Sequence, residues 1–115
     1  MKNQKFQFAL NSKVAIYVPS TINVDETCEN KKQVDRVLTK LSLLFGGATA
    51  TDAIGGWVCQ SGKLVTEKIV IVYSYCKEAE LIEKIDAVLD ICKRIKIEMA
   101  QEAVTLEING QVAFI

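Results

Sequence analysis

Residues 45–75 read FGGATATDAIGGWVCQSGKLVTEKIVIVYSY, and this stretch decides the fold. Ser61-Gly62 has the composition of a tight turn. The arms on either side are rich in Thr, Val, Ile, Trp and Tyr, which favour a pleated chain. The stretch therefore reads as one long β-hairpin, with strands over 48–59 and 63–75. Thr49, Thr51 and Ala53 share one face of the first arm, and Ala48, Ala50, Asp52 and Ile54 the other. A two-residue turn would pair Gln60 with Lys63, Cys59 with Leu64, Val58 with Val65, Trp57 with Thr66 and Gly56 with Glu67. Gly55-Gly56 interrupts the first arm, and glycines inside a strand suggest a bulge or a close approach by a ligand or another backbone. Residues 69–73 (IVIVY) are apolar on both faces, which predicts an interior strand covered on both sides.

Outward from the hairpin, residues 31–45 place Val34, Val37, Leu38, Leu41, Leu44 and Phe45 at three- and four-residue steps, one apolar helical stripe. Glu29 or Asn30 can cap its start, and Gly46-Gly47 ends it. On the other side, residues 77–99 repeat the pattern with Leu81, Ile85, Val88, Cys92, Ile95 and Met99. Ahead of the first helix, 13–18 (KVAIYV) is a strand that Pro19 ends, and 20–30 is a polar connection. Residues 1–4 read as a frayed terminus, and Phe6, Phe8 and Leu10 alternate with polar or small residues. After the second helix, 101–108 is a strand, Asn109-Gly110 a type I′ turn and 111–115 a last short strand. The order β-α-β-β-α-β is the ferredoxin-like, split β-α-β pattern in one α+β domain, with both helices on one face of an antiparallel sheet and an extra C-terminal hairpin strand. The other face is then open. Its apolar residues Ile69, Ile71, Tyr73 and Tyr75 point to a homodimer or higher oligomer.

Fourteen basic residues balance fourteen acidic ones among 115, and the only arginines are Arg36 and Arg94. Such a chain lacks the electrostatic footprint of a nucleic-acid binder or a polybasic membrane patch. It has no histidine, which removes the usual general base, the commonest zinc ligand and any Ser-His or Cys-His pair. Cys28, Cys59, Cys76 and Cys92 have no C-x-x-C spacing and read as buried reduced thiols. No metal or cofactor is expected. No run is long and apolar enough to be a signal peptide or to span a membrane, so the expected location is the cytoplasm.

The runs Phe45-Gly46-Gly47-Ala48-Thr49-Ala50-Thr51, Gly55-Gly56-Trp57, Ser61-Gly62-Lys63-Leu64-Val65-Thr66-Glu67 and Gln101-Glu102-Ala103-Val104 carry a resemblance. Together they resemble small uncharacterised proteins encoded by bacteria, phages and plasmids. More loosely they are similar to a bacterial family of unknown function with a G-Q-W strand, a strand entering with R-E and a Q-E-S-V strand after a helix. Gly56-Trp57 stands here at Q-W, Thr66-Glu67 at R-E, and Gln101 to Val104 at Q-E-S-V. The resemblance covers 45–115 and brings no activity with it.

In the two-residue-turn register, Glu67 stands opposite a residue without a side chain, beside Trp57. An aromatic face, a carboxylate and bare backbone make a plausible ligand pocket. A core or subunit-interface anchor at Trp57 and a lysine partner for Glu67 is the competing reading. Thr49, Thr51 and Asp52 add polar groups on the neighbouring arm, although threonine is an ordinary strand residue. Gln101 and Glu102 sit at a helix-to-strand junction. There Gln101 is the competent donor to free helix-end carbonyls, and both could recognise a polar ligand. The candidate ligand set is thus Trp57, Glu67, Gly56, Thr49, Thr51, Gln101 and Glu102. Tyr73 and Tyr75 could stack on a nucleobase, but sheet packing or a subunit contact is the simpler role. Cys59 is the best-placed nucleophile, without a base beside it. Pairing of Glu67 with Asp52 or Glu102 for acid-base work has no support in their spacing.

These residues favour a non-catalytic binding protein. The resemblance implies a phage- or plasmid-encoded antagonist of host defence, which sequesters a nucleotide-like small molecule or blocks a defence protein. The alternatives are a small-molecule enzyme of the dimeric ferredoxin-like type and an assembly protein without ligand.

Overall fold

The computed structural model describes residues 7–22 and 26–115, so the expectations for residues 1–4 and Phe6 lie outside the described part. The elements are β1 (Ser12–Pro19), β2 (Thr21–Ile22), β3 (Glu26–Thr27), α1 (Lys31–Phe45), β4 (Thr49–Val58), β5 (Leu64–Cys76), α2 (Glu78–Glu98), β6 (Thr105–Ile108) and β7 (Gln111–Phe114). The main sheet has the order β4-β5-β1-β6-β7, and every neighbouring pair is antiparallel. This is the expected α+β, ferredoxin-like arrangement, with β7 added beside β6. Two expectations change in detail. The polar connection at 20–30 contains the two-residue ribbon β2-β3, and the strand expected over 101–108 begins only at Thr105.

Strand alternation sends Val14, Ile16 and Val18 of β1, Val72 and Cys76 of β5 and Leu106 of β6 toward the helices. There they meet Val37 and Leu41 of α1 and Leu81, Val88, Cys92 and Ile95 of α2 in one buried core. Gly46, at φ 88°, donates its N–H to the Ser42 carbonyl and closes α1 in the left-handed conformation. The free carbonyl of Leu44 accepts from Lys84 of α2, a cation at a helix C-terminus. At the start of α2, Glu80 reaches back to the N–H of Lys77, and Asn11 Oδ1 accepts the N–H of Glu78. The turn after β6 has Asn109 and Gly110 at φ 52° and 82°, as a type I′ turn requires.

The helices are joined to each other at Glu98. Its Oε1 accepts from Arg36 Nη1 of α1 at 2.6 Å and from Arg94 Nε at 2.7 Å, so both arginines of the chain are engaged by one carboxylate. Hydrogen bonds from Arg36 first, and then Arg94, hold the Glu98 carboxyl down at about 2, against its usual 4.5. Because the folded value is depressed, the stabilisation is complete above the unfolded value and is lost as pH falls from 4.5 toward 2. The full shift corresponds to about 3 kcal/mol. The side chain is a quarter exposed, so screening reduces the expectation to about 1–2 kcal/mol. Glu98→Gln should therefore lower stability by about 1–2 kcal/mol at neutral pH and flatten the acid limb of a plot of denaturation midpoint against pH.

Of the four cysteines, all free, Cys76 and Cys92 are buried as expected, and Cys28 and Cys59 are partly exposed. Burial pushes the Cys92 thiol up to about 11 and raises that of Cys76. Cys59 escapes burial because it sits where the β4–β5 hairpin turns.

Candidate functional site

That hairpin departs from the expected register by one residue. The Cys59 N–H donates to the Lys63 carbonyl, the Gly62 N–H donates to the Cys59 carbonyl, and Gly62 lies at φ 84°. The loop is thus the three residues Gln60, Ser61 and Gly62, a type I turn closed by a left-handed glycine. A two-residue turn would need a positive φ at Ser61, which a side chain resists, whereas this loop needs it only at Gly62. The resulting pairs are Val58 with Leu64, Trp57 with Val65, Gly56 with Thr66 and Gly55 with Glu67. Pairing runs unbroken through the glycines, so the expected bulge is absent.

The shift matters because paired residues share a face. Under the two-residue turn, Trp57 and Glu67 would lie on opposite faces. In the observed register both occupy the face turned away from the helices, as diagonal neighbours about 7–8 Å apart. Gly55 takes the place expected of Gly56, which faces the helix side and leaves the candidate site. A Cβ at Gly55 would meet nothing closer than the Glu67 carbonyl at 4.0 Å, so the floor beside Glu67 is open.

The open face is a grid. Thr49 pairs with Tyr73, Tyr73 with Ala15 and Ala15 with Glu107. Thr51 pairs with Ile71 and Ile71 with Tyr17, and Ala53 pairs with Ile69 and Ile69 with Pro19. Thr51 and Thr49 share the face with Glu67 but stand about 13 and 20 Å along the strand from its row. The candidate residues therefore divide between two ends. At one end are Trp57, Glu67 and Gly55. At the other are Thr49, Tyr73 and Tyr75, whose rings meet edge to face at 5.7 Å with the Lys13 ammonium 4.5 Å above Tyr73. Within one chain Ile69, Ile71 and Tyr73 are half-buried and Tyr75 is exposed; β5 is an interior strand of the sheet, as expected, with the helices on one face.

Gln101 is tied to the first end through a residue that sequence reasoning passed over. Its Nε2 donates to the Thr21 carbonyl at 2.8 Å and to the Met99 carbonyl at 3.1 Å, the helix-end role expected of it. The Thr21 hydroxyl, on a buried residue, donates to Glu67 Oε1 at 3.5 Å. Glu102 is exposed beside this network. Thr21 gave no signal because it lies in a two-residue strand without periodicity. Glu107 was also missed; the alternation of residues 105–108 could have placed it on a face. It accepts a hydrogen bond from Tyr17 at 3.0 Å, and burial, then Glu107, raises the Tyr17 hydroxyl above its ordinary value.

Asp52 lies on the opposite face from Glu67 and lines a recess of about 290 Å³ with Glu29, Asn30 and Ala50, so these two carboxylates form no pair. Hydrogen bonding to Ser61, whose Oγ is 3.1 Å away, lowers the Cys59 thiol. Among the described residues no group of His, Cys, Asp and Glu is arranged to hold a metal ion, and no helix is long and apolar enough to cross a membrane.

Comparison with known proteins gives two solved structures of this architecture. The chain is similar to a phage SAM lyase in complex with S-methyl-5′-thioadenosine, at 21% identity and a TM-score of 0.64, covering 96% of this chain and 95% of that one. It is also similar to a phage SAM lyase in its apo state, at 18% identity and a TM-score of 0.67, covering 99% and 95%. No protein-family model and no curated protein sequence matches it. At these identities the likeness establishes the fold. Both full-length matches are enzymes, which overturns the expectation of a non-catalytic binder opposing host defence and favours the enzyme alternative.

Proposed function

We propose that this chain is an enzyme that binds SAM on the open face of the sheet, at the corner formed by Trp57 and Glu67, and releases S-methyl-5′-thioadenosine. The observation that carries this reading is the register that sets the indole and the carboxylate on one accessible face, in a fold whose solved neighbours are SAM lyases.

The chemistry suits the residues present. SAM is a sulfonium and carries its own leaving group. An oxygen of its methionyl carboxylate attacks the methionyl Cγ, the Cγ–S bond breaks, and the electron pair stays on sulfur. The products are a neutral thioether and the lactone of homoserine, and no proton moves. Such a step asks a protein for orientation and exclusion of water rather than for a general base. A chain without histidine can supply both.

Trp57 offers a stacking surface for the adenine ring. Glu67 suits the α-ammonium of the methionyl arm. Beside the sulfonium, a carboxylate would stabilise the starting charge that the transition state loses, and so would oppose the reaction. Gln101, acting through Thr21, steadies the carboxylate. Under this reading the partner is a small nucleoside-like molecule, the location is the cytoplasm, and a second subunit covers Ile69, Ile71, Tyr73 and Tyr75.

Ligand-induced stabilisation tests the binding half of this reading. A ligand present at about a hundred times its Kd adds about 2.7 kcal/mol to folding. S-methyl-5′-thioadenosine should raise Tm by several degrees, and Trp57→Ala should weaken binding by about 1–2 kcal/mol, the usual value of one base–aromatic stack. Absence of any shift with either SAM or the thioether at saturating concentration would sink the proposal.

A further inference from the structure

The two helices run antiparallel and are tied together at both ends. At one end Glu98 of α2 accepts from Arg36 of α1, and at the other Lys84 of α2 donates to the Leu44 carbonyl where α1 closes. Between these ties lies a groove of about 410 Å³ lined by residues of the helices alone, a volume within the range of small-molecule sites. Its floor is the core itself: Val37, Ile91 and Ile95 are buried there, and Leu43 stands as an exposed wall. The groove follows α1 from Arg36 to Leu44 and α2 from Ala87 to Ile95, about 12 Å at 1.5 Å per residue.

The groove is charged at one end and apolar at the other. Arg36 and Arg94 line the first end, and Glu98 stands behind them, outside the lining. Glu98 engages one nitrogen of each arginine, Nη1 of Arg36 and Nε of Arg94, so the rest of each five-donor fork stays available to a second anion. Two guanidinium groups against one carboxylate leave this end one net positive charge. The same hydrogen bonds hold both side chains in place, which lowers the cost of ordering them around a ligand. Lys40 of α1 and Asp90 of α2 stand midway along opposite rims, where their charges offset. Leu44 and Ala87 form the far end, which the Lys84 tie closes.

We infer that this groove binds a single-chain aliphatic carboxylate, its head on Arg36 and Arg94 and its tail laid over Val37, Ile91 and Ile95 toward Ala87. A compact anion would leave the apolar part unfilled, and a cationic head would be repelled by the arginine end. Arginine forks suit a planar carboxylate. The site is separate from Trp57 and Glu67, and the inference stands whether or not the enzymatic reading does.

Decanoate, titrated into the full chain below its micelle-forming concentration, should bind saturably, with amide NMR shifts clustered at residues 36–44 and 87–95. Affinity should rise up to about fourfold per methylene from hexanoate to decanoate, as tail burial requires. Arg94→Gln keeps the Arg36–Glu98 bond and should weaken decanoate binding about tenfold or more, with an unchanged far-ultraviolet circular dichroism spectrum. Ala87→Trp fills the apolar end, leaves both arginines in place and should remove the dependence on chain length. Decanoate that fails to bind at millimolar concentration would overturn the inference. So would decylamine binding as tightly as decanoate, shifts clustered instead at the exposed Ile54, Val58 and Leu64, or affinity unchanged in both variants. Sedimentation with phosphatidylglycerol vesicles without binding of free decanoate would assign the groove to a membrane surface and overturn it too.

Discussion

Glu67→Gln should lower the rate of SAM cleavage by about 10²- to 10³-fold while moving Tm by no more than the small change typical of a surface substitution. The amide keeps the shape of the side chain and can still accept from the Thr21 hydroxyl, so packing at the corner is preserved. What it loses is the charge. Under the proposed reading, the α-ammonium of SAM would then be held by a neutral acceptor, and the methionyl carboxylate would no longer be fixed within reach of its own Cγ. Charged hydrogen bonds are about twice as strong as neutral ones, and misplacement of a reacting group by about 1 Å is enough for a 10²-fold loss. The loss should fall on kcat as well as on KM, because orientation rather than simple affinity is removed. Single-turnover kinetics with Glu67→Gln and Trp57→Ala separate the two roles. The tryptophan variant should lose affinity, and the glutamine variant should lose rate. An active Glu67→Gln enzyme would remove Glu67 from the site.

The second large effect belongs to the core. Leu41 is fully buried between α1 and the sheet, while Leu43, two residues along the same helix, is 80% exposed. Leu41→Ala should cost about 3–4 kcal/mol, because the lost contacts are joined by a cavity that neighbours such as Ile16, Val72 and Ile95 can only partly fill. Against a typical total stability of about 5–15 kcal/mol this is a large fraction, equivalent to a fall in Tm of roughly 12–20 °C. Leu43→Ala should stay within about 0.5 kcal/mol. Denaturant titration of the pair tests whether α1 presents the face to the sheet that its periodicity dictates. Equal losses at the two positions would mean that it does not.

Much of this fold is legible in the chain. The stripe from Val34 to Phe45 and the glycine pair after it define α1 at the observed bounds, because helical periodicity and a left-handed stop act locally. Asn109-Gly110 defines the last hairpin for the same reason. The central hairpin differs from its expected register by one residue. Ser61-Gly62 has turn composition, but only glycine takes a positive φ readily, and that places the bend at Gln60, Ser61 and Gly62.

One residue of register is enough to exchange Gly56 for Gly55 and to bring Trp57 onto the face of Glu67. The residue types of the corner are legible in the sequence, but the register that assembles them is not. Thr21 was invisible for a different reason. Its strand is too short for alternation, and its partners Glu67 and Gln101 are distant in sequence. The absence of histidine has limited weight for function. It argues against hydrolases that need a general base, but not against an intramolecular displacement from a sulfonium, which needs no proton transfer.

Product analysis tests the central claim most directly. The purified chain is incubated with SAM in water enriched in oxygen-18, and the products are separated and weighed by mass spectrometry. The account predicts S-methyl-5′-thioadenosine together with homoserine lactone that carries no label at the oxygen bound to Cγ, and loss of both products with Glu67→Gln. SAM left intact by the unmodified protein, or homoserine carrying the label on its side-chain oxygen, would contradict it.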